Sequence, residues 1–166
     1  MNSGLQPVTM ADMEEMTALF NYYVLHSVAT YTERPVSVEV FEALMSFFPG
    51  YPALTVRVDS GTLAGFGLLR PYSQIAAFAG TAELTMFIRD GYTGMGYGSA
   101  LLNALEAAAS AMGIHSIVAT VSSLNGPSLL FHRLRGFTEQ GRLAGIGERN
   151  GRRFDVVFLQ KALYTA

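Results

Sequence analysis

The chain predicts an α/β fold of the α+β kind: a mixed, mostly antiparallel sheet of about seven strands with helices on both faces. Three observations predict it. An alternating apolar run, Leu84, Met86 and Ile88, is followed by a glycine-rich loop and then by Leu101, Leu105, Ala108 and Met112 at helical spacing. Asp59-Ser60-Gly61 and Asn150-Gly151 each separate two apolar runs, the mark of a hairpin. Helical stretches lie between these strands, so neither an all-helical nor an all-strand architecture fits.

Taken in order, Leu5 to Val8 reads as a first strand. Thr9 or Asp12 can cap a helix running to about Leu25, because a short side-chain oxygen accepts from the free amides of a first turn. Ser37 caps a second helix, Val38 to Phe47, which Pro49-Gly50 ends. Ala53 to Val58 and Leu63 to Leu69 form the first hairpin, and Arg70 to Gly80 is a loop. The central strand and glycine loop lead into a helix ending at Gly113, a residue suited to the left-handed position after a helix. Ile117 to Val121 is a strand. Pro127 to Leu134 is a short helix, with proline in its first turn. Phe137 to Ile146 and Phe154 to Leu159 pair across Asn150-Gly151.

The 166 residues suit one domain, residues 1–166, and half of them are apolar, enough for a sizeable core. The net charge of −2 gives no nucleic-acid footprint. Cysteine is absent, so disulfides, thiol nucleophiles and thiolate metal sites are excluded, and no metal site is expected. The N-terminus lacks a basic segment followed by an apolar one, and no apolar run is long enough to span a bilayer. A cytoplasmic location without membrane association is the expectation.

The strand, glycine loop and helix aim backbone N–H groups and the positive end of a helix at one point, a ready phosphate site. Two common phosphate loops are excluded. From Gly91 the lysine position of a Walker loop holds Tyr97. The third glycine of a dinucleotide loop falls on Ser99 or on Leu101. Taken alone, the loop could also be a plain glycine turn.

Thr93-Gly94-Met95-Gly96-Tyr97-Gly98 resembles the pyrophosphate loop of the GNAT superfamily of acetyl-CoA-dependent N-acetyltransferases. Gly96 and Gly98 match its pattern. Thr93 stands where Gln or Arg is usual, and Met95 where Lys or Arg is common, so cationic help is missing while the backbone donors remain. Asn125 to Phe137, with Asn, a short helix and Gly136-Phe137, resembles a second block of that superfamily. Gly141 to Gln160 resembles the C-terminal hairpin of its phosphinothricin and methionine-sulfone acetyltransferase branch, with Arg153 at a position where that branch often has Trp. The first helix and the segment Ala29 to Pro35 also look like that branch, so the resemblance covers nearly the whole chain.

The resemblance implies the GNAT fold, acetyl-CoA as co-substrate, direct attack by a small primary amine and a homodimer. Glu83 starts the central strand beside the loop, where a carboxylate can take the proton of an incoming ammonium. The branch uses this position as general base. His132 lies seven residues after Asn125, where the resemblance implies an acid for the leaving thiolate. Cofactor contacts are implied for Thr93, Gly94, Met95, Gly96, Tyr97, Gly98 and Ser99 at the loop, and for Asn125 and Ser128. They are implied also for the strand Met86, Phe87 and Ile88, whose backbone would pair with pantetheine amides.

Tyr31, Arg70, Tyr72 and Phe78 are candidates for the acceptor pocket, with Thr32, Glu33 and Arg34 beside Tyr31. An arginine there would clamp an acceptor carboxylate. Arg149, Arg152 and Arg153 could bind an anion such as the CoA 3′-phosphate, although a solvated hairpin tip is the plainer reading. The acceptor implied is an amino-acid analogue such as phosphinothricin or methionine sulfone. The alternatives are a non-catalytic acyl-CoA-binding module and a protein or peptide N-acetyltransferase.

Overall fold

The computed structural model describes residues 4–163. Seven strands form one sheet: β1 (Gly4–Pro7), β2 (Ala53–Arg57), β3 (Leu63–Pro71), β4 (Thr81–Ile88), β5 (Ser116–Ser122), β6 (Thr138–Arg149) and β7 (Arg152–Ala162). Their order is β1-β2-β3-β4-β5-β7-β6, and every neighbouring pair is antiparallel except β4 and β5. The expected mixed, mostly antiparallel sheet is present.

Alternation along the strands builds two cores. Phe66, Leu68 and Phe87 point to one face and meet Met16, Phe20 and Val24 of α1 (Met13–His26) and Phe41 and Met45 of α2 (Val38–Met45). Leu69, Leu84 and Met86 point to the other, against Leu102 and Leu105 of α3 (Tyr97–Ala111) and Leu129 of α4 (Gly126–Leu134). Helices thus cover both faces.

Several boundaries differ from the sequence reading. Thr9 and Asp12 act together: the Asp12 carboxylate accepts from the Thr9 amide at 2.8 Å and from its hydroxyl at 2.9 Å, shaping a 3-10 turn, Met10–Asp12, ahead of α1. Burial raises the Asp12 pKa, but hydrogen bonds from Arg57 and Thr9 more than offset this and hold it below the ordinary value. Helix α2 stops at Met45 rather than Phe47. Ser46 turns left-handed at φ 50°, and its hydroxyl donates to the Ala43 carbonyl, so Phe47 swings into the core beneath α1 and α2. Strand β3 runs on to Pro71, because Arg70 pairs with Glu83 and Pro71 with Ala82. Strand β6 reaches Arg149, with register shifts that absorb extra residues. The turn joining β6 to β7 is Asn150-Gly151, both with positive φ, as a two-residue hairpin needs.

Candidate active site

The parallel pair β4 and β5 is joined over three residues only: Thr81 to Ser116, Ala82 to Ile117 and Glu83 to Val118. Beyond Glu83 the strands part. β4 stays bonded to β3 through Ile88, and β5 stays bonded to β7 through Ser122. The result is a wedge within the sheet, and Glu83 is its vertex.

Backbone alternation decides what the wedge offers. The Arg89 amide donates to the Ala64 carbonyl on the β3 side. The amides and carbonyls of Ile88 and Met86, one and three residues away, therefore face the wedge, while those of Phe87 face β3. The backbone of Phe87 is thus turned away from the wedge. Its ring lines the wedge and packs on Phe20, Tyr23 and Phe66. The Ile88 carbonyl accepts from the Tyr23 hydroxyl, a partner that the sequence did not suggest.

A cavity of about 720 Å³ fills the wedge, within the range of small-molecule sites. One end is bordered by Thr93, Gly94, Gly96, Gly98 and Ser99. Gly96 caps α3 at φ 90°, a conformation that disfavours any side chain, and has no side-chain atom to satisfy the amides of Tyr97, Gly98 and Ser99. A Cβ on Gly98 would stand 3.3 Å from the Phe131 ring, so glycine there lets α4 close against the start of α3. Free amides, open space and a positive helix end fit a diphosphate. Met95 and Tyr97 do not line the cavity. Met95 is exposed, and Tyr97 packs on Tyr92 with ring centroids 6.0 Å apart, so only their backbones belong to the loop's cradle.

Helix α4 forms one wall. Asn125 caps it, accepting from the Ser128 amide at 3.2 Å. His132 is buried one turn on. Its Nδ1 lies 2.7 Å from the Ser128 carbonyl, which can only accept, so Nδ1 carries the hydrogen. Burial pushes the His132 pKa down, partly opposed by that hydrogen bond, so the ring is neutral near pH 7 with its free lone pair on Nε2.

At the vertex, Glu83 does not stand alone. Arg70, its cross-strand partner, donates Nε–H to Oε2 at 3.1 Å and places Nη2 3.0 Å from Oε1. Arg70 also donates through Nη1 to the Leu44 and Met45 carbonyls at the end of α2. Four of its donor contacts are thus in use, so the arginine expected to clamp an acceptor carboxylate bridges Glu83 and the end of α2, and an acceptor would have to exchange into that pair. Tyr31 reaches the same end. Its ring stacks on Phe154 at 5.5 Å and 2°, and its hydroxyl meets the Thr120 side chain. Burial raises the Tyr31 pKa. The Thr120 hydrogen bond opposes this and the Glu83 charge adds to it, so the phenol stays protonated.

Other expected residues lie elsewhere. Tyr72 and Phe78 pack on each other at 5.7 Å, exposed and off the cavity wall, because the β3–β4 ladder continues past the ion pair and carries their loop beyond it. Thr32 lines the cavity; Glu33 and Arg34 do not. Glu33 accepts from the Asn150 amide at 2.7 Å. Arg149 is buried, and its guanidinium donates to the Val24 and Ser27 carbonyls at the negative end of α1. It is therefore a fastener of the hairpin to α1 and takes no anion, while Arg152 and Arg153 remain exposed at the tip. Thr120, Tyr23 and Arg135 line the cavity without any signal in the sequence that would have marked them. No group of three or more metal-ligating side chains occurs among the described residues.

A profile of the Acetyltransferase (GNAT) family matches residues 16–137. An L-methionine sulfoximine/L-methionine sulfone acetyltransferase of Pseudomonas aeruginosa is 31% identical over 162 residues, covering 96% of this chain and 94% of its own. A phosphinothricin N-acetyltransferase of Streptomyces viridochromogenes is 30% identical, over 95% of this chain and 86% of its own. The crystal structure of a GNAT superfamily phosphinothricin acetyltransferase from Sinorhizobium meliloti, in complex with AcCoA, superposes with a TM-score of 0.89 at 28% identity, covering 98% of this chain and 89% of that one. The wedge, the glycine cradle and these similarities agree: the chain belongs to the GNAT family and is an acetyltransferase that uses acetyl-CoA as co-substrate.

Proposed function

We propose that this enzyme acetylates the primary amine of a small α-amino acid or analogue, of the phosphinothricin or methionine-sulfone kind, by direct attack within a ternary complex. The observation that carries the acceptor class is the Arg70–Glu83 pair at the vertex of the wedge. An α-amino acid carries an ammonium beside a carboxylate, so it can exchange with that pair: ammonium to Glu83, carboxylate to the fork of Arg70. Relatives named for such substrates support the reading.

Glu83 acts as general base. It takes one proton from the ammonium, and the neutral nitrogen attacks the thioester carbonyl. The attacking nitrogen then carries a second surplus proton, and the departing thiolate needs one. His132, neutral with a free Nε2, relays that proton: it accepts first and then donates to sulfur. The acid expected from the sequence thus becomes a relay. The amides of Gly94 to Ser99 hold the diphosphate. The wedge-facing backbone of Met86 and Ile88, with Asn125 and Ser128 opposite, holds the pantetheine arm.

The test of the acceptor is a paired comparison of methionine sulfone with its carboxamide. A kcat/KM at least about 10-fold higher for the acid is expected, since loss of a charge-assisted bond costs roughly 1.5–3 kcal/mol. Equal values would abolish the carboxylate clamp and make amines without a carboxylate the better class.

The reading extends to one catalytic domain over residues 1–166, working in the cytoplasm as a homodimer. No described helix is long and apolar enough to cross a membrane. Strand β6 ends the sheet, with Leu143 47% and Ile146 60% exposed along it, an unpaired edge suited to a second copy. Light scattering at micromolar concentration is expected to give twice the chain mass; monomer mass alone would refute the dimer.

A further inference from the structure

The phosphate loop of this enzyme carries no cation: between Gly91 and Ser99 there is neither Lys nor Arg. Amide donors and a helix dipole remain, yet the CoA nucleotide bears a diphosphate and a 3′-phosphate, several negative charges in all. A neighbouring element has to supply a counter-charge if the site is to hold that end firmly.

Two arginines line the cavity, Arg70 and Arg135. Arg70 pairs with Glu83 and the end of α2 at the vertex, the end of the wedge proposed for the acceptor. Arg135 follows α4 and has no carboxylate partner among the described residues, whereas its neighbour Arg133 pairs with Glu139 at 3.1 Å. The Arg135 guanidinium carbon stands 5.9 Å from the centre of the Phe131 ring. That same ring meets Gly98 at the start of α3. Cation, ring and the amide end of α3 are therefore consecutive neighbours across the cavity. The ring orients a flexible side chain that nothing else ties down.

We infer that Arg135 supplies, from the opposite wall, the cation that the loop lacks, and binds a phosphate of the nucleotide end of acetyl-CoA. This rests on the wedge being the cofactor's seat. Arg133 and Glu139 form their own pair beside it.

Calorimetry with CoA, 3′-dephospho-CoA and pantetheine tests the inference on the wild type, Arg135→Gln and Arg135→Lys. Loss of the cation is expected to weaken CoA binding about 5- to 10-fold at low salt, with most of the affinity restored by lysine. The dependence of affinity on salt should flatten in Arg135→Gln. Pantetheine, without phosphate, should bind both forms alike. A deficit that disappears with 3′-dephospho-CoA assigns the contact to the 3′-phosphate, and one that persists assigns it to the diphosphate; both support the inference. An unchanged CoA affinity in Arg135→Gln, with normal binding by the wild type, overturns it. So does an equal loss for pantetheine, which would make Arg135 a purely structural residue. Failure of the wild type itself to bind CoA would instead remove the cofactor seat on which the inference depends.

Discussion

Glu83→Gln is expected to lower kcat about 10²- to 10⁴-fold at neutral pH, the range that a positioned general base contributes. The amide keeps the shape of the carboxylate and can still accept from Arg70, but it cannot take a proton. Both members of the pair are about one-quarter exposed, so its loss should cost stability only about 0–1 kcal/mol. A large fall in rate with a nearly unchanged melting temperature and acetyl-CoA affinity therefore separates chemistry from folding. The deficit should shrink as pH rises toward the pKa of the acceptor amine, because solvent then delivers the neutral nucleophile. The same pH profile examines the relay. In the wild type, kcat falls on the acid side as His132 becomes protonated and can no longer accept, and His132→Gln should lose that limb. Turnover by Glu83→Gln equal to the wild type at neutral pH would take Glu83 out of the mechanism.

Gly96→Val is expected to weaken acetyl-CoA binding by at least about 10-fold, equivalent to 1.4 kcal/mol. Two effects act together. The backbone at Gly96 sits at φ 90°, where a β-branched residue is strained by about 1–3 kcal/mol. Relief of that strain would turn the loop and misaim the amides of Tyr97, Gly98 and Ser99. A Cβ at Gly96 meets no atom of the rest of the fold within 4 Å, so the substitution starts in open space on the approach to the cradle. The variant should therefore fold, with a lower melting temperature, and fail at the cofactor. Calorimetry on folded protein decides the matter. Unchanged affinity would place the diphosphate elsewhere.

The sequence was most legible where structure is set by near neighbours. Alternation in Leu84, Met86 and Ile88 marks a strand whatever surrounds it, and the spacing of Leu101 and Leu105 marks a helix. Asn150-Gly151 marks a two-residue turn because positive φ is cheap there, and both residues adopt it. Asn125 before Gly126-Pro127 marks the start of α4 for the same local reason. The boundaries that moved are those governed by distant partners. Strand β3 lengthens because Arg70 and Pro71 find partners 13 and 11 positions away in β4. Helix α2 shortens because Phe47 has a core to enter.

The same division holds for the site. By itself the sequence determined the class of chemistry: a glycine cradle at a helix start, a carboxylate at the head of the preceding strand, a histidine on the short helix, and no thiol. These are properties of residue type and short spacing. Only the tertiary structure decided what each group is free to do. Arg70 became the partner of Glu83, Arg149 was spent on carbonyls of α1 as far as 125 residues away in the chain, Tyr72 and Phe78 were carried off the wall, and Tyr23 arrived on it. The wedge itself is a statement about where two strands stop pairing. Register, separation and the pairing of charges depend on which segments pack together across long stretches of chain, and local periodicity carries no record of that.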